Sequence, residues 1–144
     1  MAVRANNVRE KLALPFEAAN SGEHPNIAAT VDEYVFWRPP SHVSALGSYG
    51  LENFLKEHGI DSLIISGFSS SGCVINTAKG AADKGWVVSV VEDACGDKDE
   101  AVHEVIMRSL LVGQAHVVGR EELVTAWCKV RQLSGGCDDV RYIC

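Results

Sequence analysis

The sequence predicts an α/β domain of three layers, with a doubly wound parallel sheet between two layers of helices. Three observations predict it. The runs Ser62-Leu63-Ile64-Ile65-Ser66-Gly67 and 87–91 have the apolar centres of strands buried on both faces. Each run is followed by a segment whose apolar residues recur at helical spacing. Strands and helices then alternate at intervals that right-handed βαβ crossovers turn into a parallel sheet.

The elements follow in order. Residues 1–30 are polar and irregular apart from a helix-like piece over 8–16. Tyr34-Val35-Phe36-Trp37 is a short strand candidate, closed by a turn on Pro39 and Pro40. Leu51, Phe54 and Leu55 give residues 51–58 a helical stripe, with Gly59 as the C-cap. The first buried strand covers 62–67. A helix is expected over 73–84, with Val74, Ala78, Ala81 and Ala82 on one face and Gly85 as its stop. After the strand at 87–91, Asp97 is placed to cap the next helix and Glu100 to complete a capping box. Val102, Val105, Ile106 and Leu110 form that helix's expected buried stripe. A third strand at 115–118 and a last helix at 121–129 complete the core, and 134–144 is a Gly-rich polar tail. The chain reads as a single domain over 1–144, with its core at 32–130.

Composition narrows the function. A chain of 144 residues can bury a working core, and 47% hydrophobic with 22% charged residues is ordinary for a globular protein. No apolar run approaches a membrane span. A formal charge of -6 argues against a nucleic-acid surface, which needs clustered Lys and Arg. The five cysteines form no C-x-x-C pair and have no His at ligand spacing, so no metal is expected. Their odd, scattered count does not look like a secreted disulfide framework, and the first residues lack a signal-peptide core; a cytoplasmic protein is expected.

Open α/β sheets place their sites beyond the carboxyl ends of the strands, and two segments with unusual chemistry end there. The first is Gly67-Phe68-Ser69-Ser70-Ser71-Gly72-Cys73. Small residues allow a sharp turn, and a cysteine at the following helix N-terminus lies where the dipole favours a thiolate. Position alone leaves open a buried structural cysteine, or a phosphate-holding turn without either glycine-rich nucleotide pattern. The second segment runs from Val91 through Asp93 and Cys95 to Asp99. It offers Lys98 as a cation that could meet a substrate carboxylate, and Asp93 as a carboxylate for neighbouring backbone N–H groups. His42 is the histidine nearest the strand ends, a candidate for a Cys–His dyad that no spacing rule supports.

These motifs, with Thr77-Ala78 and Val90-Val91-Glu92-Asp93-Ala94-Cys95-Gly96-Asp97-Lys98-Asp99, resemble the isochorismatase-like cysteine hydrolases over residues 32–124. Within that family the chain is most similar to the N-carbamoylsarcosine and maleamate amidohydrolase branch. The resemblance implies Cys73 as nucleophile, an oxyanion hole from the backbone N–H groups of Ser69 and Cys73, and a cis peptide between Phe68 and Ser69. It implies substrate contacts from Lys98, where relatives carry Arg, and from Ser71. Arg38 stands at the family's Lys position. An arginine supplies charge but does not give up a proton near neutral pH.

No apolar strand ending in the family's Asp precedes Val35, so the resemblance implies an N-terminally shortened chain without the usual first strand. Glu10, Glu17, Asp32 and Glu33 remain as substitute acids outside any matching motif. Two expectations follow. One is a hydrolase of C–N bonds in a small amide or carbamoyl substrate, working through a Cys73 thioester. The other is an impaired family member that binds or oligomerises. In either case no cofactor, nucleic acid or membrane is expected as partner. A homo-oligomer, dimer or tetramer, is expected.

Overall fold

The computed structural model describes residues 33–134, with side chains to residue 130. The chain divides into two units, Met1–Val35 and Phe36–Cys144, and every element below belongs to the second. The expected helical piece at 8–16, the substitute acids Glu10, Glu17 and Asp32, and the tail beyond 134 lie outside the described residues.

Three strands, β1 (Ser62–Phe68), β2 (Val87–Gly96) and β3 (His116–Val118), form a parallel sheet in the order β1-β2-β3. Among the described residues, four α-helices accompany them: α1 (Leu51–Glu57), α2 (Ile75–Ala82), α3 (Glu100–Val105) and α4 (Arg120–Ser134). Leu63 and Ile65 of β1 and Val88 and Val90 of β2 point to one face, as residues two apart in a strand must. There they join Leu46, Leu51, Leu55, Val74, Ala78 and Ala81 in the core. Val91, on the opposite face, is also buried, and α4 packs against β2. Burial on both faces is why these strands read as unbroken apolar runs.

Local signals held where the backbone itself enforced them. Gly59 takes φ 63, and the pair Ile60 N–H to Leu55 O (2.9 Å) and Gly59 N–H to Lys56 O (3.1 Å) closes α1. Gly85 at φ 82 ends the α2 run in the same way, with Trp86 N–H on Ala81 O and Gly85 N–H on Ala82 O.

Four expectations are corrected. No strand forms over 34–37: the Trp37 carbonyl accepts from Tyr49 N–H at 3.1 Å, closing a loop, and Phe36 packs on the core. The strand expected at 87–91 continues to Gly96. Ile65 pairs with Val90 and Gly67 with Cys95, so five steps of β2 oppose two of β1 across an irregularity. Asp99, not Asp97, caps α3, accepting from Ala101 N–H at 2.9 Å. Finally, Val102, Val105 and Leu110 of the expected stripe are 38%, 54% and 46% exposed, while Ile106, Met107 and Leu111 are buried. After α3, the chain enters a wide π-turn over Ile106–Leu110, in which Leu111 N–H reaches Ile106 O five residues back, so Leu111 and not Leu110 faces inward. The extra residue per turn shifts which side chains face inward.

Candidate active site

At the carboxyl end of β1 the peptide between Phe68 and Ser69 is cis, as the resemblance implied. The chain then enters a π-turn, Ser70–Val74, which leads into α2. Cys73 therefore lies in a widened turn ahead of the α-helix and not on its first regular residue. Two backbone N–H groups, of Gly72 (3.1 Å) and Val74 (3.3 Å), converge on the Ser69 carbonyl and fix the turn on either side of Cys73. Gly67 takes φ 135, which favours glycine. A Cβ on Gly72 would fall 2.6 Å from Ser69 Oγ, so the turn closes around a residue without a side chain. Cys73 is half-buried, and its thiol donates to the Phe68 carbonyl at 3.5 Å.

Two side chains from beyond β2 hold this turn. Ser70 is fully buried; its hydroxyl donates to the Gly96 carbonyl at 3.0 Å and lies 2.7 Å from His103 Nδ1. Asp97 accepts from the Ser71 N–H at 2.7 Å through Oδ2 and from the Lys98 N–H at 2.8 Å through Oδ1. The Ser71 hydroxyl, and after it the Ser71 N–H, hold the Asp97 carboxyl below the usual carboxylate range. Asp97 thus grips the cysteine turn instead of capping a helix. Asp93 accepts from the N–H of Arg120, the first residue of α4 and 27 positions along the chain, where neighbouring N–H groups were expected.

Cys73 also borders a cavity of about 270 Å³, with Arg38, Phe36 and Thr77 among its walls. The consecutive residues Leu63, Ile64, Ile65 and Ser66 line it too, so it runs along the edge of β1 that no described strand pairs. The segment carrying Arg38 is tied to α2 by the Ala45 N–H, which donates to Thr77 Oγ1 at 2.8 Å. The Arg38 guanidinium donates to the Val43 carbonyl.

The structure thus brings Cys73 and Arg38 to one cavity and places Ser69 and Ser71 in the turn itself. Lys98 is exposed and does not line the cavity. His42 packs its ring over Gly47, beside the Ser41 hydroxyl at 3.3 Å, and does not border the cavity either. Cys95 lies in register with Gly67; burial pushes its thiol up, and Cys73 and Asp93 nearby add to the effect. Sequence reasoning missed Ser70 and His103, because 33 positions separate the two and no motif spacing links them.

A model of the isochorismatase domain matches residues 4–122, which include the whole sheet and the cysteine turn. The chain belongs to the isochorismatase family. Maleamate amidohydrolase of Pseudomonas putida is 29% identical over 94 residues, 65% of this chain and 43% of that protein. A secreted isochorismatase effector of Verticillium dahliae is 34% identical over 58 residues, 40% of this chain and 30% of the effector. The chain thus spans less than half the length of these curated relatives. Among solved structures, an isochorismatase-like hydrolase from Alkaliphilus metalliredigens superposes with a TM-score of 0.67 at 27% identity, over 74% of this chain and 58% of that one. The family assignment accounts for the parallel α/β architecture. Among the described residues, no helix is long and apolar enough to cross a membrane.

Proposed function

We propose that this isochorismatase-family chain is a cysteine hydrolase that cleaves the C–N bond of a small amide or carbamoyl substrate. The observation that carries the reading is the Cys73 turn: a half-buried thiol in the π-turn between the carboxyl end of β1 and α2, bordering the same cavity as Arg38. The Pseudomonas putida relative, named as a maleamate amidohydrolase, supports an amide as substrate class.

In this reading the Cys73 sulfur attacks the substrate's carbonyl carbon, and the C=O electron pair moves onto oxygen. Backbone N–H groups of Ser69 and Cys73 stabilise that oxyanion. Collapse breaks the C–N bond; the amine leaves with the proton the thiol gave up, and a thioester remains. Water then adds to the thioester, the C–S bond breaks, the acid is released and the thiol regains a proton. Arg38 contributes positive charge and not proton transfer. Lys98 and Ser71 are assigned to the substrate's polar end, Lys98 adjoining the Asp97 carboxylate that holds Ser71. The apolar cavity along the β1 edge supports a homodimer or tetramer, tested by light scattering on the purified chain. A reducing, cytoplasmic setting keeps the thiol available.

One observation favours a second reading. Among the described residues, the hydrogen bond of the Cys73 thiol goes to a backbone carbonyl and not to a carboxylate or imidazole. Absence of a base lowers a rate by roughly 10²–10⁴, and such a chain would act as a binding or oligomerising member of the family. Ammonia release from small amides and carbamoyl compounds separates the two. Release by the full chain, lost in Cys73→Ala, is expected; no release, or equal release by the variant, would leave only the second reading.

A further inference from the structure

We infer that His103 is a positioning residue for Cys73, acting through the buried Ser70 hydroxyl, with its ring proton held on Nδ1. The inference deepens the nucleophile reading above and rests on it.

Ser70 is completely buried and its hydroxyl has one proton to give. The Gly96 carbonyl, 3.0 Å away, can only accept, so that proton is committed to it. His103 Nδ1 lies 2.7 Å from the same oxygen and must therefore be the donor. Turning the Ser70 proton towards the ring instead would leave the Gly96 carbonyl without it.

Around the ring, Glu92 and Asp93 of β2, Glu104 of α3 and Arg108 of the following π-turn border one cavity of about 230 Å³ with His103. The His103 backbone N–H is held by the Asp99 carbonyl at 3.0 Å. Ser70 opens the turn that carries Cys73, and its own carbonyl accepts from the Ile75 N–H. One hydroxyl thus locks the cysteine turn to the end of β2 and to α3. Asp97 holds the next residue, Ser71, from outside. The His103 contact is the buried half of this arrangement.

Alkylation of Cys73 by iodoacetamide, followed by mass spectrometry on the full chain, tests the role. Ser70→Ala and His103→Leu are each expected to slow labelling roughly 5–150-fold, the range for a buried hydrogen-bonding group left without its partner. The double variant should be no slower than the slower single one. His103→Asn, which offers an amide N–H near the position of Nδ1, should recover most of the rate. If His103→Leu does not fold, Ser70→Ala decides alone, since it removes a single oxygen. Wild-type labelling in Ser70→Ala, or His103→Asn as slow as His103→Leu, would overturn the positioning role alone. Wild-type Cys73 labelling no faster than the exposed Cys128 would overturn the nucleophile reading and the role with it. Nitrogen-15 NMR of the neutral ring reads the bond independently of reactivity; a proton found on Nε2 would overturn the assigned tautomer.

Discussion

Replacing Gly72 by alanine is expected to destabilise the protein by about 1–3 kcal/mol, the usual cost of overpacking a well-packed site. The new Cβ would lie 2.6 Å from Ser69 Oγ but 4.0 Å from Ser69 Cβ, so the overlap is with a single hydroxyl oxygen. The Ser69 backbone is held, because its carbonyl accepts from both Gly72 and Val74, so relief has to come from rotation of the Ser69 hydroxyl, which sets the cost at the low end of that range. Removing that oxygen should remove the clash. Ser69→Ala combined with Gly72→Ala is therefore expected to regain most of the stability that Gly72→Ala alone loses. The coupling between the two sites should be similar in size to the single loss. Urea unfolding, read at constant m so that midpoints report stability, measures all four corners of the cycle. A Gly72→Ala variant with the wild-type midpoint, or a double variant as unstable as the single one, would refute the geometry argued for the turn.

Other outcomes follow from the same structure. Leu55→Ala empties a fully buried position where α1 meets the sheet and should cost about 2–5 kcal/mol in urea unfolding; a loss under about 1 kcal/mol would mean that α1 is not seated as described. The Asp97 carboxyl sits below its ordinary range, so its contribution is fully present above the unfolded value of about 3.9 and fades as pH falls through the lower folded value. Asp97→Asn should therefore lose stability relative to wild type at neutral pH. The difference should narrow below pH of about 4, as a pH series of melting curves would show. Cys95, its thiol pushed up by burial, should be alkylated more slowly than exposed Cys128 near neutral pH; equal rates in a mass-spectrometric time course would contradict its placement.

Much of the candidate site was legible because its parts are local. The small residues before Cys73 and the strand before them are adjacent in sequence, and a turn there follows from their sizes alone. Arg38 and Cys73 were linked through a family pattern, and the structure places both on one cavity. In the sequence Asp97 has the position of a helix cap, because an acid shortly before a helix ordinarily serves as one. Its actual partner, Ser71, lies 26 positions earlier, where no helical or strand period reaches.

What the sequence determined by itself was the succession of strands and helices from residue 51 onward, the glycine stops at Gly59 and Gly85, and the turn at Cys73. Each depends on backbone conformation or periodicity within a few residues. Tertiary structure alone decided the rest: the continuation of β2 to Gly96, the inward turn of Met107 and Leu111, and the hold of His103 and Asp97 on the cysteine turn. A hydrogen bond across 26 or 33 positions exists only once the sheet has brought its ends together, and a π-turn changes the helical phase that a sequence pattern assumes.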